Sequence, residues 1–220
     1  MVLEQSVKWS VSNGFTNYKD ATETMEQNVT DIRSGAPGKI WLVEHPSIYT
    51  AGTRARPRDL LNKNVLPVFK TGRGGEYTYH GPGQRVVYVM LDLNFRGRDV
   101  KQFVHDLEEW VILSLRHFGI LGERRLGRVG VWVEQPGYNQ FKNTEAKIAA
   151  IGIRLRHWIS YHGISININP DLSHYDGIIP CGISEYGITS FANLGVSATM
   201  ADVDKVLKAS FTQVFGYQTT

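Results

Sequence analysis

Apolar residues recur at three- and four-residue spacing through Tyr18, Ala21, Met25, Val29 and Ile32, which predicts an amphipathic helix over about residues 16 to 34. Gly35 and Pro37 end it. From Lys39 to Tyr49 the pattern changes: Ile40, Trp41, Leu42 and Val43 precede His45-Pro46, as in a buried strand that leaves into a loop at the proline. Thr53 to Asn64, with three arginines and no period, reads as a surface loop. Beyond the glycine-dense stretch TGRGGEYTYHGPGQ, the run RVVYVMLDL is apolar enough for a strand covered on both faces.

A second helix is expected from Asp99, a capping residue, with Val100, Phe103, Leu107, Trp110, Val111 and Leu115 as its stripe and Phe118-Gly119 as its end. Val129 to Glu134 reads as a strand. A polar loop with Pro136, Gly137 and Asn139 follows, and then the strand pair KIAAIGIRLR and WISYHGISININP, turning near Arg156-His157. In the second member Ile164, Ile166 and Ile168 face one way and Ser165, Asn167 and Asn169 the other. Thr199 and Asp202 form a capping-box pattern ahead of a last helix carrying Val203, Val206, Leu207 and Val214. Strands clustered mid-chain between separated helices predict an α/β (α+β) protein with a mixed sheet and packed helices, in a single domain over residues 1–220.

Composition narrows the class. At 220 residues, 42% of them apolar, the chain can bury a substantial core. Its 24 Lys and Arg stand against 21 Asp and Glu and are spread along the sequence, so no nucleic-acid partner is expected, while an acidic protein partner is permitted. The N-terminal MVLEQSVKWS lacks a basic region with an apolar run behind it, and no later stretch approaches about eighteen apolar residues, so the expectation is a cytoplasmic protein without a membrane span. The single cysteine, Cys181, forms no internal disulfide and concentrates any sulfur chemistry on one residue.

Gly72, Gly74, Gly75, Gly81 and Gly83, interleaved with Arg73, Tyr77, Thr78, Tyr79 and His80, make either a glycine-rich hairpin turn or a wall that a ligand approaches closely. The spacing of a phosphate loop is absent. A lone cysteine is more often a small buried hydrophobe than a nucleophile. The flanks of Cys181, Pro180 and Gly182, place its thiol on a fixed, open turn where backbone N–H groups can face a developing oxyanion. Lys147 opens an apolar strand; strand-end lysines are usually solvated. Turned inward beside Cys181, it has the required strength. Lowering a thiol pKa by about 1.5 units takes about 2 kcal/mol, and one ammonium at about 4 Å supplies on the order of 4 kcal/mol at an effective dielectric near 20. His45, His80, His157, His162 and His174 are rival bases, and no zinc-type spacing points to a metal.

EHPSIYTAGTRA, RGGEYTYHGPGQ, GRVGVWV, KIAAIGIR, HGISININPDL and IPCGI, in that order, resemble the lipoyl (octanoyl) transferase family of the lipoate-protein ligase B type, from about Ala21 to Val214. The resemblance implies the fold of the biotin and lipoate protein ligases. It implies that Cys181 is the acyl-carrying nucleophile and that Lys147 lowers its pKa and serves as its acid-base partner. The acyl site is then lined by Arg73, Gly74, Gly75, Glu76, Tyr77, Thr78, Tyr79 and His80, by Ala150, Ile151 and Gly152, and by Gly163, Ile164 and Ser165. Family members often carry Asp where Gly72 stands and Leu-Ala where Ile164-Ser165 stand.

The implied partners are acyl carrier protein, as octanoyl donor with its phosphopantetheine arm, and the lipoyl domains of 2-oxoacid dehydrogenase E2 subunits and the glycine cleavage H protein as acceptors. The protein itself would hold no cofactor. Three rival readings predict different behaviour: an ATP-dependent ligase of the same fold, a Cys-His hydrolase with water as acceptor, and a scaffold in which Cys181 is inert.

Overall fold

The computed structural model describes residues 6–62, 65–134, 145–179 and 186–220. Ser6–Phe15 forms β1, where Val7, Trp9 and Val11 alternate with Lys8, Ser10 and Ser12. The helix pattern expected next is α1, Tyr18–Arg33, capped by the Asn17 side chain, which accepts from the Lys19 N–H. It buries Tyr18, Ala21, Met25, Val29 and Ile32, the whole anticipated stripe. Then β2, Gly38–Glu44, runs parallel to β1.

The strand ends before Pro46, as expected, but the segment beyond it includes a strand of a second sheet. Buried His45 donates from Nδ1 to the Thr16 carbonyl at 2.6 Å, and Pro46 offers no N–H to a ladder, so the chain leaves the sheet there. β3, Ile48–Ala51, joins β4, Val68–Lys70, and β5, Tyr77–His80, in a small sheet of order β4-β3-β5. The loop between β3 and β4 contains a short 3₁₀ turn at Pro57–Asp59.

β6, Gln84–Met90, is buried at every position, as its sequence requires. α2, Val100–Arg116, is capped by Asp99 through the Gln102 N–H; Val100 lies off the buried stripe, 36% exposed. β7, Glu123–Arg125, β8, Arg128–Glu134, β9, Glu145–Arg156, and β10, Ile159–Asn167, follow. The β9–β10 hairpin turns on His157 and Trp158, both at positive φ, the conformation of a two-residue turn matched to strand twist. β11, Gly187–Ile188, pairs with β9, and α3, Met200–Phe215, begins with the expected capping box of Thr199 and Asp202 before β12, Gln218–Thr219. The main sheet runs β12-β1-β2-β6-β10-β9-β8-β7.

One face of that sheet packs Ile40, Leu42, Val87, Val89, Ile164 and Ile166 against α2 and α3; the other packs Trp41, Val43, Val86 and Met90 against α1. This is the mixed sheet with packed helices that the sequence predicts. Arg85, inside the otherwise apolar β6, reaches α3, where its Nη2 donates to Asp204 Oδ2 at 3.0 Å. Cys181 and the loop of Pro136, Gly137 and Asn139 lie outside the described residues.

Candidate active site

Arg73 organises the glycine-rich loop. Its Nη2 donates to the Thr50 carbonyl, the Thr50 hydroxyl and the Glu76 carbonyl, each at 2.9 Å, and Nη1 donates to the Gly74 carbonyl at 2.8 Å. The guanidinium thereby ties the loop to β3 and to itself. The fit requires glycine at Gly52, since a Cβ there would stand 2.3 Å from the Gly75 carbonyl oxygen. At the far end of β5, Glu44 Oε1 accepts from the Gly83 N–H at 2.7 Å and holds the GPG turn.

Three segments distant in sequence meet around one cavity. Sheet pairing sets Val86, Ser165 and Ala150 in one row, and Tyr88, Gly163 and Gly152 in the next, so each row presents a common face. Gly163 also permits the sheet to close, because a Cβ there would lie 2.1 Å from the Val87 carbonyl oxygen. The cavity volume is about 60 Å³. Its walls include Arg73, Gly74, Gly75, Glu76, Tyr77, Thr78 and His80 from the glycine-rich run; Ala150, Ile151 and Gly152 from β9; and Gly163, Ile164 and Ser165 from β10. Tyr79 is the member of the predicted set that does not line it. Strand alternation sends its ring into a separate cluster with Tyr49, Tyr175 and Ile178.

Lys147 lines the same cavity and is 4% exposed, unlike a solvated strand-end lysine. Its Nζ donates to the Val129 carbonyl at 3.1 Å and sits 4.7 Å from the Trp132 ring centroid. Ile188 pairs with Lys147 across β11 and β9, and Tyr186 packs on Trp132 at 5.4 Å. The chain thus re-enters the described structure beside the lysine after the segment that contains Cys181, itself outside the described residues.

Tyr18, Val86, Tyr88, Val129 and His162 also line the cavity, and sequence reasoning assigned none of them to the acyl site. Period two on β6 places Val86 and Tyr88 together, but only the pairing of β6 with β10 aims that face at the site. His45, His80 and His162 are buried together. Because His45 Nδ1 donates to Thr16, its Nε2 accepts from the Tyr88 hydroxyl at 2.6 Å. Desolvation holds His45 down to about 4, partly offset by the bond to Thr16. Desolvation, with His45, Arg73 and His162 nearby, holds His80 at about 3; desolvation with Arg73 and Arg154 does the same for His162. Burial also pushes the Tyr18 hydroxyl up to about 12. The other rival bases stand apart: His157 is in the exposed hairpin turn bonded to Arg33, and His174 packs on Tyr79.

This architecture, a sheet carrying helices on both faces beside a small second sheet, is a fold shared with lipoate and biotin protein ligases. Lipoate-protein ligase A bound with ATP superposes with a TM-score of 0.72 at 15% identity, over 97% of this chain and 87% of that one. Biotin protein ligase from Aquifex aeolicus superposes at 0.50 and 11% identity, over 97% and 70%. The profile of the lipoyl protein ligase A/B catalytic domain matches residues 17–212. A protein named octanoyltransferase from Chelativorans sp. (strain BNC1) is 58% identical over 96% of this chain and 87% of its own length. Another of that name from Paramagnetospirillum magneticum is 54% identical over 97% and 99%. The chain belongs to the lipoyl protein ligase A/B catalytic domain family and, within it, to the octanoyltransferases, which are acyltransferases. Among the described residues no helix is long and apolar enough to cross a membrane.

Proposed function

We propose that the protein moves an octanoyl group from acyl carrier protein to a lysine of a lipoyl domain through a thioester on Cys181, the first step of protein lipoylation. The observation that carries this reading is Lys147, a buried cation set in the wall of a cavity assembled from the family's three motif segments. Relatives 58% and 54% identical over nearly the whole chain are named octanoyltransferase.

In this reading the Cys181 thiolate attacks the thioester carbonyl of the carrier's phosphopantetheine arm. A new carbon–sulfur bond forms, the carrier's breaks, and the proton on the Lys147 ammonium passes to the departing thiolate. The neutral amine of the acceptor lysine then attacks the octanoyl-enzyme. Its excess proton returns to Lys147 as the amide forms and the Cys181 thiolate leaves. A thioester becomes an amide, so the transfer needs no ATP and no cofactor beyond the carrier's arm. The cavity holds the acyl chain, and each buried methylene contributes about 0.8 kcal/mol. The acceptors are lipoyl domains of 2-oxoacid dehydrogenase E2 subunits and the glycine cleavage H protein, in the cytoplasm.

Intact-protein mass spectrometry after incubation with octanoyl-acyl carrier protein tests this on wild type and Cys181→Ser. The expected result is an octanoyl adduct on wild type that hydroxylamine releases and that passes to a lipoyl domain without ATP, with no such adduct on the variant. Transfer that occurs only from free octanoate with ATP would replace this reading with an adenylating ligase.

A further inference from the structure

The hydrogen bonds of Gln84 decide which nitrogen of His80 carries its proton. Gln84 is fully buried at the start of β6, and one end of its amide lies 3.2 Å from the Tyr79 carbonyl oxygen. A carbonyl oxygen only accepts, so that end is the NH₂. The same nitrogen lies 2.9 Å from Asn167 Oδ1 and 3.1 Å from the Tyr175 hydroxyl. Asn167 is itself oriented by donation from Nδ2 to the Thr189 carbonyl at 3.0 Å. Two backbone carbonyls therefore fix both amides, and flipping either sets oxygen against oxygen.

It follows that Gln84 Oε1 faces His80 Nδ1 at 2.7 Å. An amide oxygen donates nothing, so Nδ1 carries the hydrogen and Nε2 holds a lone pair. Nε2 has no hydrogen-bond partner among the described residues, and the ring, 8% exposed, lines the cavity. Burial keeps the ring neutral, so the lone pair is present at neutral pH.

We propose that Gln84 is a positioning residue that locks His80 as its Nδ1–H tautomer, so that Nε2 accepts a hydrogen bond from an N–H or S–H group which a substrate brings into the cavity. The identity of that group rests on the acyl-transfer reading: it belongs either to the pantetheine arm of the donor or to the amine of the acceptor lysine. The bond chain explains why glutamine stands at a buried position of an apolar strand. It also links His80 to the strand of Lys147, since the Thr189 N–H donates to the Lys147 carbonyl at 3.0 Å.

Long-range ¹⁵N–¹H correlation spectra of the imidazoles, recorded on wild type and Gln84→Leu, read the tautomer without any substrate. Wild type should show His80 protonated at Nδ1, and the variant should shift it toward Nε2. In single-turnover kinetics the variant should lose roughly tenfold in one half-reaction, the size of one hydrogen bond to a buried acceptor. A loss confined to acylation by the octanoyl carrier assigns the donor group to pantetheine; a loss confined to transfer from the acyl-enzyme assigns it to the lysine amine.

Should Gln84→Leu fail to fold, His80→Asn keeps a donor toward Gln84, lacks the Nε2 acceptor and takes over the kinetic comparison. His80 protonated at Nε2 in wild type overturns the proposal. So does a variant in which the tautomer switches, or the acceptor is gone, while both half-reactions keep their wild-type rates. Absence of any acyl adduct on wild type counts against acyl transfer and leaves the tautomer result standing.

Discussion

Lys147 and Trp132 sit opposite each other on β9 and β8, and the ammonium of the one lies 4.7 Å from the ring centroid of the other. The indole is held in turn by its N–H, which donates to the Arg128 carbonyl at 3.0 Å. A desolvated cation over a tryptophan face gains about 2 kcal/mol, which helps keep a charge buried at the cavity wall. Lys147→Met is accordingly expected to raise the pH midpoint of Cys181 alkylation by about one to two units, the scale of one nearby ammonium. Iodoacetamide labelling across pH, followed by mass spectrometry, reads this. An unchanged profile removes Lys147 from its assigned role.

Acyl length should follow the volume of the row formed by Val86, Ser165 and Ala150. Ala150→Leu extends a side chain into the cavity and should shift preference from octanoyl toward hexanoyl donors. Each displaced methylene is worth about 0.8 kcal/mol, roughly fourfold in relative kcat/KM. Competition between the two donors measures it, and an unaltered ratio would place the acyl chain elsewhere.

Stability should fall with acid. Unfolded histidine binds a proton below a pKa of about 6.5, whereas His45 resists until about 4 and His80 and His162 until about 3. Between those limits the unfolded chain holds more protons, so stability rises with pH. The contribution is complete above the unfolded pKa and is lost progressively as the pH drops toward the folded values. Each histidine adds a slope of up to about 1.4 kcal/mol per pH unit in that window. Urea unfolding at pH 7, 6 and 5 should show a falling midpoint; a flat response would mean that the histidines are charged in the fold.

Asp204→Ala should cost about 3 kcal/mol, because it strands the buried guanidinium of Arg85. Burial pushes the Asp204 carboxyl up despite Arg85 beside it, so desolvation outweighs attraction at that carboxylate. Replacing both partners, as Arg85→Met with Asp204→Leu, should recover most of the loss. Chemical denaturation of both variants gives the comparison; equal losses would show that the pair itself stabilises the fold.

The stripe of α1, the capping box of α3 and the buried run of β6 were legible in the sequence because helical period, caps and continuous apolarity are local properties. The cavity-wall residues of the glycine-rich run, β9 and β10 were indicated by the family resemblance, whereas the glycine spacing alone left a hairpin turn and a ligand wall both open. β1 was missed although Val7, Trp9 and Val11 alternate, as a short alternation at a chain end is a weak signal until β2 pairs with it.

Only the tertiary structure decided that the segment after Pro46 joins a second sheet, that Tyr79 turns from the cavity while Tyr88 and His162 turn toward it, and that Lys147 is buried rather than solvated. Each of these depends on which strand lies alongside and in what register. A shift of one residue reverses every face, and the partner that selects the register lies tens of residues away, beyond the reach of any local pattern.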